Sequence, residues 1–175
     1  EDIQDNLQIA WIVDDRGVNP FYAKEAEFFD ARVYCSPLLA LAGVWPAVDP
    51  LYSKSELLTP KMVGEDHYKT AQEALALLTK MRELTRDSRV YELLSLGARK
   101  EAFDQLEKSY HEKMLGFSLE EKLMVTRGRK LQLFFSQPFF VAEDFTGLKG
   151  EKVALKEAIR CVKKILNGEF DHKEE

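Results

Sequence analysis

The chain has 175 residues, enough for one ordinary domain with its own core or one domain plus part of another. Hydrophobic residues make up 45% and charged residues 31%, a globular composition that argues against disorder, and the longest apolar run, around Pro37–Val44, falls short of the ~20 residues of a membrane-spanning helix. The net charge is −5 with Lys and Arg scattered among acids, so nucleic acid is not an expected partner.

From the N-terminus, Leu7–Val13 is almost continuously apolar and rich in β-formers, the pattern of a strand buried on both faces of a parallel sheet. Asp14–Gly17 supplies a turn and Val18–Phe29 a loop. Arg32–Ser36 reads as a second short strand, and Pro37–Ala42 as one or two helical turns. Two such strands alone leave edges and apolar faces open, so a partner is expected to cover them. Gly43–Pro50 is a stiff hinge, because Pro46 and Pro50 fix their own φ and push Trp45 and Asp49 out of the helical region.

Beyond the hinge nearly everything is helical. Tyr68–Arg86 carries an apolar stripe at Ala71, Leu75, Leu78, Met81 and Leu84. Val90–Met114 reads as a second helix weakened by Gly97. Ser118 and Glu121 have capping-box spacing and start a third, to about Phe135. Glu151–Leu166 is the fourth, stopped by Asn167-Gly168, and Asp171–Glu175 is a polar tail. The expected fold is mainly α: a four-helix bundle-like domain, 51–175, preceded by a short α/β stub of about two strands, 1–50.

Three long motifs carry a resemblance: GVWPAVDPL at Gly43–Leu51, LLTPKMVGEDHY at Leu57–Tyr68, and RGRKLQLFFSQPFFVAEDFTG at Arg127–Gly147. In order and spacing, from about Asp30 to Asp171, the chain resembles the C-terminal part of the catalytic β subunit of F-type ATP synthases. The resemblance implies that residues 1–50 end a nucleotide-binding domain and that the rest is the helical domain. It also implies that Trp45, Phe139, Ala142 and Phe145 match the residues that close around adenine, with Trp45 replacing a stacking Tyr. The family's acidic DELSEED tip corresponds to Leu115–Glu121. Here Glu120 and Glu121 remain while Leu115, Phe117 and Leu119 stand among them, so these five are the expected protein-contact residues.

Phosphoryl transfer needs a glycine-rich phosphate loop with a lysine, a magnesium-binding hydroxyl, a carboxylate and an arginine. No G-x-x-x-x-G-K-[ST] stretch occurs in these 175 residues. Catalytic residues are therefore not expected here, and no cofactor beyond weakly stacked adenine nucleotide. His67, His111 and His172 lack metal-ligand spacing with Cys35 and Cys161, which are expected to be buried free thiols. The dense Thr126–Lys130 cluster fits a mixed surface or an acidic partner.

The leading expectation is a non-catalytic β-like accessory protein that docks in a larger complex, with ATP synthase α, β and γ subunits as candidate partners. The alternatives are a portion of a working β subunit and an adenine-nucleotide sensing module. Family logic places the chain peripherally at an energy-transducing membrane. The sites in question are a chloroplast thylakoid surface facing the stroma, a mitochondrial inner membrane facing the matrix, or the cytoplasmic face of a bacterial membrane. No basic, apolar signal region opens the sequence, so any targeting signal is expected to have been removed.

Overall fold

The computed structural model describes residues 28–136, 138, 140 and 143–173. The expected strand Leu7–Val13 lies outside them, as do Phe139 and Ala142. The elements in order are β1 (Ala31–Arg32), α1 (Pro37–Leu41), β2 (Lys54–Ser55), α2 (Pro60–Val63), α3 (Glu65–Thr85), α4 (Ser88–Ser95), α5 (Arg99–Gly116), α6 (Leu119–Phe135), α7 (Glu143–Thr146) and α8 (Leu155–Leu166). The described chain is mainly helical with a small two-stranded sheet.

That sheet differs from the expected one. β1 pairs antiparallel with β2, Ala31 opposite Ser55 and Arg32 opposite Lys54, and a single bridge joins Cys35 to Val48. Val33 and Tyr34 are exposed, so Arg32–Ser36 is not a buried strand. The physical reason is the hinge: the chain runs out through α1 and back through residues 43–50, and Ser36 N–H on Ala47 O with Asp49 N–H on Tyr34 O holds the two limbs side by side in opposite directions. The sheet therefore hydrogen-bonds across residue 50. Cys35 is exposed and Cys161 half-buried; both are free, so the expected burial of the thiols is corrected.

The core is built by three helices. Leu78 and Met81 of α3, Val125 and Leu131 of α6, and Val162 and Ile165 of α8 form one buried cluster. Ala74, Leu77 and Leu84 pack beside it, one helical face as 3.6-residue periodicity requires. Leu75, from the expected stripe, points instead toward Pro50, Leu51 and Leu58. Gly128 lets α6 approach α3 closely, since a Cβ there would sit 2.6 Å from Met81 Sδ and 3.1 Å from Met81 Cβ.

Val90–Met114 is not one helix. Gly97 adopts φ +74, and its N–H donates to Leu94 O at 3.0 Å while Ala98 N–H donates to Leu93 O at 2.9 Å. This pair of bonds terminates α4, so Gly97 is a stop and not a weak point inside a helix. The chain then doubles back as the α4–α5 hairpin, sealed by the buried Val90 and Ala102. Asp87 ties its base: it accepts from Arg89 N–H at 2.9 Å, capping α4, and from Gln105 Nε2 at 2.9 Å. The Gln105 hydrogen bond is the main reason its carboxyl lies below the usual carboxylate range.

α6 begins as expected. Ser118 Oγ accepts from Glu121 N–H at 3.3 Å and Ser118 N–H donates to Glu121 Oε2 at 2.9 Å. Replacing Ser118 by Ala is expected to lower stability by about 1 kcal/mol, read as a shift in the urea midpoint; an unchanged midpoint would show that the cap contributes nothing.

α8 begins at Leu155, later than Glu151, because exposed residues 151–154 would gain no burial from being helical. Residues 171–173 of the polar tail prove to be held. Arg127 Nε donates to both Asp171 carboxylate oxygens at 2.9 and 3.1 Å, and its Nη1 donates to Leu166 O at 3.2 Å. Lys130 Nζ donates to Phe170 O at 2.7 Å and Lys173 O at 2.6 Å. Two cations of the Thr126–Lys130 cluster are thus used inside the molecule.

The Arg127 hydrogen bonds hold the Asp171 carboxyl below its ordinary range, and the same pairing raises Arg127. A depressed carboxylate stabilises the fold above its unfolded pKa of about 4, and that contribution is lost as pH falls through the lower folded value. Asp171→Asn is therefore expected to cost about 1–2 kcal/mol at neutral pH, with the gap to the parent closing below about pH 4. A gap independent of pH, in denaturant titrations across that range, would contradict the pairing.

Candidate functional site

The hinge is a built loop. Ser36 caps α1, its Oγ accepting from Leu39 N–H at 3.4 Å, and its own N–H donates to Ala47 O at 2.8 Å. Asp49 N–H donates to Tyr34 O at 2.8 Å, so residues 34–36 and 47–49 clamp the loop between them. The Trp45–Pro46 peptide is cis. Trp45 N–H donates to Ser136 Oγ at 3.0 Å, a contact between residues 91 apart in sequence. The start of SQPFF is thereby brought to the hinge.

Asp49 fastens this loop to the bundle. Its side chain is only 3% exposed and accepts from Arg82 Nη2 of α3 at 2.5 Å and from Leu51 N–H at 3.0 Å. The Arg82 guanidinium also lies 5.2 Å from the Tyr52 ring centroid, and Tyr52 meets Tyr34 at 5.3 Å. Facing them, the hairpin brings Tyr91, Phe103 and Tyr110, with Arg129 5.2 Å from the Tyr110 ring. Between these walls is a cleft of about 770 Å³ with Leu39 and Met81 at its base.

Of the adenine-matching residues, Trp45 is 60% exposed, so its indole is not a core side chain. It does not line the large cleft. Phe145 is on α7, while Phe139 and Ala142 are outside the described residues. The other expected surface is the α5–α6 turn. Leu115 and Leu119 are 72% and 76% exposed, and Glu120 is exposed beside them. Phe117 differs: it packs on the core cluster because the capping box turns the chain inward at that point. Glu121 is half-buried and engaged in the cap, and the Ser118 N–H that it accepts lowers its carboxyl below the usual range.

The tyrosine and arginine lining of the cleft was not expected. Its residues come from six separate stretches of the chain, and no local spacing connects them. The Asp49–Arg82 pair had a signal, an acid fixed between two hinge prolines.

No family model matches the chain. Among the described residues no cluster of His, Cys, Asp and Glu could hold a metal, and no helix is long and apolar enough to cross a membrane.

Proposed function

We propose that this chain is a non-catalytic, ATP synthase β-like accessory component of a larger energy-transducing assembly, peripheral to its membrane. The observation that carries this reading is the Trp45 N–H to Ser136 Oγ bond, which joins two of the three motifs on which the resemblance rests. In the family the same two stretches close around adenine, so their meeting here agrees with the likeness. The exposed Leu115 and Leu119 at the α5–α6 turn supply apolar contact area for a neighbouring subunit where the family presents mainly acids.

A second reading, a portion of a working β subunit, is favoured by the exposed indole of Trp45, which leaves a stacking face available. Base stacking alone contributes about 1–3 kcal/mol, so a phosphate-binding partner would have to complete such a site.

The deciding experiment is the native mass of the complex that contains the chain, with identification of every co-purifying protein. Recovery of this chain with ATP synthase α, γ and a separate phosphate-loop β chain supports the accessory reading. Recovery as part of a longer polypeptide bearing its own phosphate loop supports the second, and recovery with unrelated partners overturns both. Quenching of Trp fluorescence by ADP in the isolated chain would point to an adenine-nucleotide sensor.

A further inference from the structure

We propose that residues 147–156, the segment after α7 together with the first two residues of α8, form a peripheral contact with an anionic lipid surface. Every residue from 147 to 156 except Gly150 is exposed, and Leu148, Val153 and Leu155 stand 58%, 43% and 62% exposed. Lys149, Lys152 and Lys156 are interleaved with them. Among the described residues none of these three lysines forms an ion pair, and Lys152 Nζ lies 5.8 Å from the ring centroid of the exposed Phe140.

The charge is local. Glu151 is the one acid between 147 and 156, so the segment carries a net +2 on a chain of net −5. Glu157, the residue that follows the segment, is engaged by Arg160, and the acids that precede it, Glu143 and Asp144, lie on the first turn of α7. Lysines with apolar stems, alternating with side chains that can insert a few ångströms, fit a headgroup boundary: the stems and leucines enter the apolar edge while the ammonium groups meet lipid phosphates.

A protein partner fits less well. Docking energy concentrates where a side chain fills a pocket, and the cleft described above is not lined by residues of this segment. A lipid surface requires no pocket. The contact does not depend on which assembly holds the chain.

The test is co-sedimentation of the full 175-residue chain with phosphatidylcholine vesicles containing about one-third phosphatidylserine, against vesicles of phosphatidylcholine alone. Binding to the anionic vesicles, weakened in roughly 1 M salt, is expected. Lys149→Glu, Lys152→Glu and Lys156→Glu together are expected to weaken it by about 100-fold, near five-fold for each lysine. Leu148→Ser, Val153→Ser and Leu155→Ser together should also weaken it, with the circular dichroism spectrum unchanged because all three side chains are exposed. Lys61→Glu, exposed on α2, should bind like the parent. Absence of binding, equal binding to neutral vesicles, or binding untouched by either triple variant overturns the proposal. So does loss of a co-purifying acidic protein from the lysine variant while the parent ignores vesicles.

Discussion

Leu131→Ala is expected to lower stability by about 2–5 kcal/mol, the range for deleting a fully buried leucine side chain. Leu131 is 0% exposed and sits on α6 in the cluster that α3 and α8 complete. The lost atoms lie among three helices that cannot easily all move inward together, because α6 already packs closely on α3 at Gly128, where even a Cβ would meet Met81 Sδ at 2.6 Å. A cavity is therefore left behind, and the loss exceeds the transfer free energy of the missing methyl groups. Against a total of about 5–15 kcal/mol for an ordinary domain, the change should be plain in a urea titration as a lower midpoint with an unaltered slope. Leu133→Ala, two residues along the same helix and substantially exposed, should stay within about 0.5 kcal/mol. Equal effects at the two positions would show that α6 does not face the bundle as described.

Arg82→Ala is expected to cost about 2–3 kcal/mol and to loosen the hinge selectively. Removing the guanidinium leaves the Asp49 carboxylate buried with only the Leu51 N–H as a partner among its two side-chain bonds. Breaking a fully buried pair costs about 3–5 kcal/mol. Arg82 is itself 25% exposed, so water replaces part of what is lost and the lower figure applies. Replacing both residues together, Arg82→Met with Asp49→Leu, should recover much of the loss, because no charge is then stranded. The local readout is hydrogen exchange: the amides of Asp49 and Ser36, which bond across the loop, should lose protection before those of α6. Uniform loss across the chain would mean that the pair supports the bundle and not the hinge.

These two residues also mark the boundary of what could be read without coordinates. Helix starts and stops with a local chemical cause were legible: the Ser118–Glu121 cap, the Asn167-Gly168 stop, Pro37 at the start of α1 and the prolines that shape the hinge. Gly97 was visible as a disturbance. Whether a glycine bends, weakens or ends a helix depends on its φ, which follows from where the next segment packs, and here the positive φ produced a hairpin. The Leu115–Glu121 turn was legible as a surface, yet its alternation could not tell that Phe117 turns inward while Leu115 and Leu119 do not.

The candidate site divides the same way. Trp45 was singled out from its place in a motif, but its meeting with Ser136 joins residues 91 apart and follows only from how α6 ends beside the hinge. The Arg127 and Lys130 charges, which sequence alone left as surface or as a partner site, are taken up by the carboxylate and carbonyls of residues 166–173. Sequence by itself determined a mainly helical chain, its caps, its hinge and the absence of a phosphate loop within these residues, because each is a property of neighbours along the backbone. Tertiary structure alone decided the antiparallel sheet across residue 50, the arginine pairs with Asp49 and Asp171, and the cleft between the hinge and the hairpin. Those depend on burial and on charges brought together from distant positions, and no local pattern encodes either.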